Sequence, residues 1–192
     1  MPAALLIRIV LWLWLFAALA VGRLQLLARL PGPALQGIIL ALTAALLLAY
    51  AKAEGFREWI NGLDLRALVL LHVTRFVGIY FLLLYQRGEL PYAFAVPGGW
   101  GDITVATLAL LVGLVPMTEG ARRHAITIWN VIGFIDILLV VVTAARLGLE
   151  DIRQLRALTY LPLSLLPTFL VPLVIATHIM IFLRLRREKI PA

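Results

Sequence analysis

ITIWNVIGFIDILLVVVTAA, residues 126–145, carries a single ionisable side chain, Asp136, in an otherwise uncharged run. About 20 helical residues rise ~30 Å, the thickness of bilayer hydrocarbon. A soluble core helix of this length would present a charged face that this run lacks. The stretch therefore reads as a membrane span. Comparable apolar blocks give five more, so the spacing predicts six spans at about 4–21, 34–50, 67–85, 103–117, 126–145 and 158–183. With 63% hydrophobic and 14% charged residues and a mean hydropathy of +1.01, a soluble domain is excluded. The expectation is an all-α polytopic transmembrane helical bundle made of one unit, residues 1–192, with no separate soluble domain.

The connectors add detail. Between spans 2 and 3, Phe56, Trp59, Ile60 and Leu63 recur at helical spacing among Glu54, Arg57, Glu58 and Asp64, which predicts a short interfacial helix. Ala41, Ala45 and Ala49 form a small-residue stripe on span 2, an expected close-packing face. Residues 86–102, with Pro91, Pro97, Gly98, Gly99, Gly101 and Trp100, read as an ordered interfacial loop whose Asp102 caps span 4. Pro162, Pro167 and Pro172 predict kinks or a break in the last block, which is too long for one straight crossing. Arg8, the apolar run after it and Ala18-Leu19-Ala20 also have the outline of a signal peptide; the length of the run favours a span.

The net charge of +7 is spread singly or in pairs at span ends, so it fits lipid headgroups and orientation rather than nucleic acid. With six spans, one side collects Arg8, Lys52, Arg57, Arg66, Arg122, Arg123, Arg184, Arg186, Arg187 and Lys189. The other collects Arg23, Arg29, Arg87, Arg146, Arg153 and Arg156. That asymmetry places both termini in the cytoplasm of a bacterial inner membrane. No cysteine is present, which excludes disulfides and thiolate-held metal centres. Lys52 and Lys189 lie at or beyond span ends, which excludes an intramembrane Schiff base.

Charged and imidazole groups are expensive inside a bilayer, so His72, Arg75, Asp136 and His178, with the amide of Asn130, are the candidate site. His72 and His178 are each six residues from a boundary arginine, Arg66 and Arg184, and so ~9 Å below the same face. Level imidazoles on different helices can be two unrelated buried histidines or the axial ligands of a b-type haem. Arg75 and Asp136, ~14 and ~20 Å deep, are expected to pair, as a structural bridge or a proton relay. Metal beyond a haem iron is not expected. No GxxxxGK[ST], HExxH or GxSxG string occurs, so a self-contained ATPase or hydrolase is not indicated. Gly99-Trp100-Gly101-Asp102 matches the GxGD string of intramembrane aspartyl proteases but lacks the Tyr-Asp partner, and reads as a chance match.

Trp129-Asn130 followed by Pro167, Pro172 and His178 resembles a set of uncharacterised bacterial multi-span membrane proteins. The resemblance extends back to His72-Val73-Thr74-Arg75 and Asp102, leaves out the first two spans, and implies no particular activity. The expectation is an accessory or structural membrane subunit, with other membrane subunits or further copies of itself as partners and no assigned reaction. The alternatives are a haem-binding electron-transfer protein using His72 and His178, and a small-solute or ion transporter.

Overall fold

The computed structural model describes residues 3–31 and 33–187; Lys189 lies outside the described residues. The helices are α1 (Ala3–Arg23), α2 (Ala34–Lys52), α3 (Glu54–Gly62), α4 (Leu65–Leu70), α5 (Gly78–Gln86), α6 (Tyr92–Leu114), α7 (Glu119–Asp151) and α8 (Val171–Arg187). A 3-10 stretch, Leu71–Val77, joins α4 to α5 into one rod. Six segments are long and apolar enough to cross a membrane: Ala3–Arg23, Ala34–Lys52, Leu65–Gln86, Tyr92–Leu114, Glu119–Thr159 and Leu166–Arg187. Among the described residues there is no strand. The chain is an all-α polytopic membrane protein, and α3 is the short helix expected between spans 2 and 3.

One expectation fails at the fourth span. Residues 92–102 are helix, not loop. Pro91 stands at the N-cap in extended conformation, where its fixed φ and missing N–H do no harm, and the helix continues through Pro97. Glycines and an interior proline read as loop in water, but inside a membrane neighbouring helices support them. Asp102 is thus ten residues into α6 rather than at its cap.

The described residues fall into two compact units. The first comprises those up to Gly62 with Ala144–Ala176, the second Leu63–Thr143 with those from Thr177 onward. In the first unit α3 packs against α1 and α2, and Tyr50 Oη donates to Asn61 Oδ1 at 2.9 Å. The buried face of α2 is Leu35, Ile39, Thr43 and Tyr50; Ala41 and Ala45 are exposed, so the small-residue stripe is not the packing face. Alanines bury little area, and the bulkier row takes the contact. The proline-rich block bends at the start of the last span rather than in its middle: a 3-10 stretch (Ile152–Thr159) and turns lead into one π-helical turn, Leu166–Leu170. Pro172 has no N–H to offer the carbonyl of Thr168; Trp14 Nε1 donates to that carbonyl instead, at 2.8 Å, with its ring edge-on to Phe169 at 4.7 Å.

In the second unit α6 lies along the whole α4–α5 rod. Leu68, Val69, Val105, Ala109, Val112, Ile126, Trp129, Ile181 and Leu185 form its apolar core. Basic residues at the span ends cap helix termini: Arg122 Nη1 donates to Val112 O at 2.8 Å, Arg123 Nη2 to Leu185 O at 2.6 Å, and Arg184 Nη1 to Leu63 O at 2.7 Å. Each donates to a carbonyl at or near a helix end, where main-chain donors run out. Asp64 caps α4 through Arg66 N at 2.8 Å, and its hydrogen bond with the Arg66 side chain holds the carboxyl below the usual carboxylate range.

Candidate functional site

The site lies wholly within the second unit, and two glycines set its position. At Gly78 a Cβ would collide with the carbonyl oxygen of Gly99, and at Gly99 it would fall 2.9 Å from that of Gly78. Here the α5 and α6 backbones touch, an approach only residues without side chains permit. The two helices run antiparallel, so moving three residues from each glycine, back to Arg75 and on to Asp102, brings those side chains face to face. Arg75 is eleven residues from the end of Leu65–Gln86 and Asp102 twelve from the end of Tyr92–Leu114, so both sit near mid-span, ~16–18 Å from the ends.

Arg75 Nε donates to Asp102 Oδ1 at 2.6 Å, its Nη1 to Gly133 O at 3.0 Å, and its Nη2 to Asp136 Oδ2. The expected Arg75–Asp136 pair is therefore present, joined by a second carboxylate that the loop reading had placed at a helix cap. Side-chain exposure is 3% for Arg75, 5% for Asp102 and 20% for Asp136. The arginine is enclosed, and Asp136 is the member that opens outward. Gly101 makes room for it, because a Cβ there would overlap the Asp136 carboxylate.

One turn before Arg75, the 3-10 stretch carries His72. Three residues per turn places residues i and i+3 in line, so His72 and Arg75 point the same way. His72 and His178 are fully buried, with ring centroids 4.2 Å apart at 53°. Trp129 stands edge-on to His72 at 4.8 Å and donates its indole N–H to Val105 O at 3.0 Å. Asn130 holds His178 twice, through Oδ1 on the ring Nδ1 at 2.8 Å and Nδ2 on the main-chain oxygen at 3.0 Å. Accepting from Nδ1–H leaves Nε2 as the bare ring nitrogen. Thr177 Oγ1 lies 3.1 Å from His72 Nε2. His72 Nδ1 and His178 Nε2 have no hydrogen-bond partner among the described residues.

This geometry does not fit axial ligation of a haem by the pair. Two metal–imidazole bonds of about 2 Å on opposite faces of an iron hold the ring centroids at least about 6 Å apart, and rings in contact leave no room for a macrocycle. His178 Nε2 moreover faces the α7 backbone, 3.1 Å from where a Gly133 Cβ would stand. Among the described residues no three His, Cys, Asp or Glu side chains gather to hold a metal ion.

Fold and site together define a polytopic α-helical membrane protein with one guanidinium shared by two carboxylates near the middle of its spans. The chain belongs to the family described as Domain of unknown function (DUF8737), whose model matches residues 32–186. The match takes in the second span, which the resemblance seen in the sequence had left out. No curated protein and no solved structure matches the chain.

Proposed function

We propose that the Arg75–Asp102–Asp136 cluster binds and releases a proton within a bacterial inner membrane, and that the protein serves passage of an ion or small solute coupled to that proton. One observation carries this reading: a single guanidinium faces two carboxylates contributed by two helices. A purely structural subunit needs one counter-ion for Arg75. A second carboxylate in low dielectric gives the trio a net negative charge unless one proton is shared. Asp136, the partly exposed member, is where that proton exchanges. The distribution of Lys and Arg favours both termini in the cytoplasm, with anionic headgroups contacting the basic span ends.

Infrared spectra of the detergent-purified protein test the proton directly. The expected result is one protonated-carboxyl band that titrates with pH and vanishes in both Asp102→Asn and Asp136→Asn, since each variant leaves one carboxylate for one guanidinium. No such band at any pH, or a band that survives both substitutions, overturns the proton reading. Vesicles holding the protein and a pH dye test passage. Wild type should relax an imposed pH gradient faster than Asp136→Asn, and equal rates overturn the passage reading.

A further inference from the structure

Pro97 and Asp136 meet at a cleft whose features the Arg75 cluster does not require. Pro97 lies inside α6 and withholds the i+4 donor from the carbonyl of Ala93. Ala93, Pro97 and Gly98 line one side of a cleft of about 100 Å³, and Asp136, Val140 and Thr143 line the other. The carbonyl freed by Pro172 is covered by Trp14, whereas no side chain among the described residues caps that of Ala93. A Cβ on Gly98 would come 3.4 Å from Val140 Cγ2, so the glycine leaves between the two helices a gap that a methyl would just fill and a larger side chain would block.

Carboxylate, carbonyl and hydroxyl oxygens are the donors of a site for hard cations. With both carboxyls ionised, the cluster carries one uncompensated negative charge beside this cleft. One monovalent cation balances that charge, a divalent one overshoots it, and an anion is repelled. At ~30 Å³ per water, the cleft holds an ion with one or two waters. We propose that it binds a compact monocation, an alkali or primary ammonium ion, which displaces the proton shared at Asp136. The carboxyl proton leaves to water as the cation arrives, so the cluster stays neutral at each step. This deepens the proton-sharing reading and rests on it.

The test is an infrared titration of the full-length protein in detergent, at a pH where the carboxyl band is half developed. Sodium, potassium or methylammonium chloride is added in separate arms, with choline chloride, too bulky for the cleft, as the control. At least one of the three should lower the band saturably while choline does not, and the responding arm distinguishes an alkali ion from an amine. Among variants that retain the salt-free band, Gly98→Leu should raise the concentration needed at least tenfold and Thr143→Val severalfold. A band indifferent to all three salts overturns the cation site and leaves the proton reading standing. A salt response unchanged in both variants shows that the cation acts elsewhere and also overturns it. Absence of the band in salt-free protein removes the proton reading and the cation site together.

Discussion

Arg75 stands between two carboxylates, so its removal strands both. Breaking a buried pair by deleting one partner costs about 3–5 kcal/mol, and Arg75→Leu should lower the detergent Tm accordingly. Adding Asp136→Leu should recover little, because Asp102 stays buried and unpaired; recovery should come with the triple variant carrying Asp102→Leu as well. A double variant as stable as the triple in thermal unfolding would show that Asp102 does not share the arginine. Asn130→Leu leaves His178 Nδ1 without its partner, and should destabilise by ~1–3 kcal/mol, read from the same melts; the His178 carbonyl, inside α8, keeps its main-chain donor. His72, Arg75, Asn130, Asp136 and His178 were legible in the sequence because polar groups are rare in apolar runs and each must be reconciled with hydrocarbon. Asp102 was not, because its neighbours Gly98, Gly99 and Gly101 read as a loop. The signal that identifies it is the same string taken as helix, which places Gly98, Gly101 and Asp102 on adjoining faces of α6. The ring-to-ring contact that does not fit axial ligation of a haem by this pair depends on azimuth about the helix axes, which depth counting does not supply.

At the level of elements, the α5–α6 crossing carries the site. Gly78→Ala and Gly99→Ala each drive a Cβ against a backbone carbonyl, which no rotamer change relieves, so the helices must separate and Arg75 and Asp102 move apart with them. Both variants should lower Tm and shift the carboxyl infrared band, while Gly37→Ala and Gly120→Ala, where a Cβ meets open space, should do neither; equal melts across the four would discount the crossing. In the first unit, Trp14→Phe removes the donor to Thr168 O and should cost ~1–3 kcal/mol. Pro172→Ala restores a main-chain N–H to the same carbonyl, so the double variant should melt higher than Trp14→Phe alone. If Pro172→Ala lowers Tm equally with and without Trp14, the indole is not covering the proline's gap. Span existence followed from hydropathy, whereas the course of the chain through prolines did not. A proline within a span bends, starts or passes through a helix according to who satisfies the freed carbonyl, and that partner is a tertiary neighbour far along the chain, as Trp14 is from Thr168.

For the whole molecule, an even number of crossings puts both ends on one side, and the arginines argue which. Arg122, Arg123 and Arg184 sit at span ends and cap helix carbonyls, so they have a part in the helix termini whichever way the protein faces. Capping works on either side of a membrane, and only the excess of Lys and Arg on one side bears on topology. That excess includes Lys52, Arg57 and Arg66 around α3 and Arg186 and Arg187 at the end of α8. A reporter active only in the periplasm, fused after Ala192, should be silent, and one fused in the turn after α5, beside Arg87, should be active. The opposite pattern would invert the protein and place Arg122, Arg123 and Arg184 on the periplasmic side. Replacing Arg186 and Arg187 with glutamine provides the sharper comparison. Neither caps a carbonyl among the described residues, so their loss should leave Tm unchanged while raising the fraction of molecules with periplasmic C-termini. A fall in Tm with unaltered topology would instead assign them to holding the end of α8, and the orientation would then rest on the basic cluster around α3.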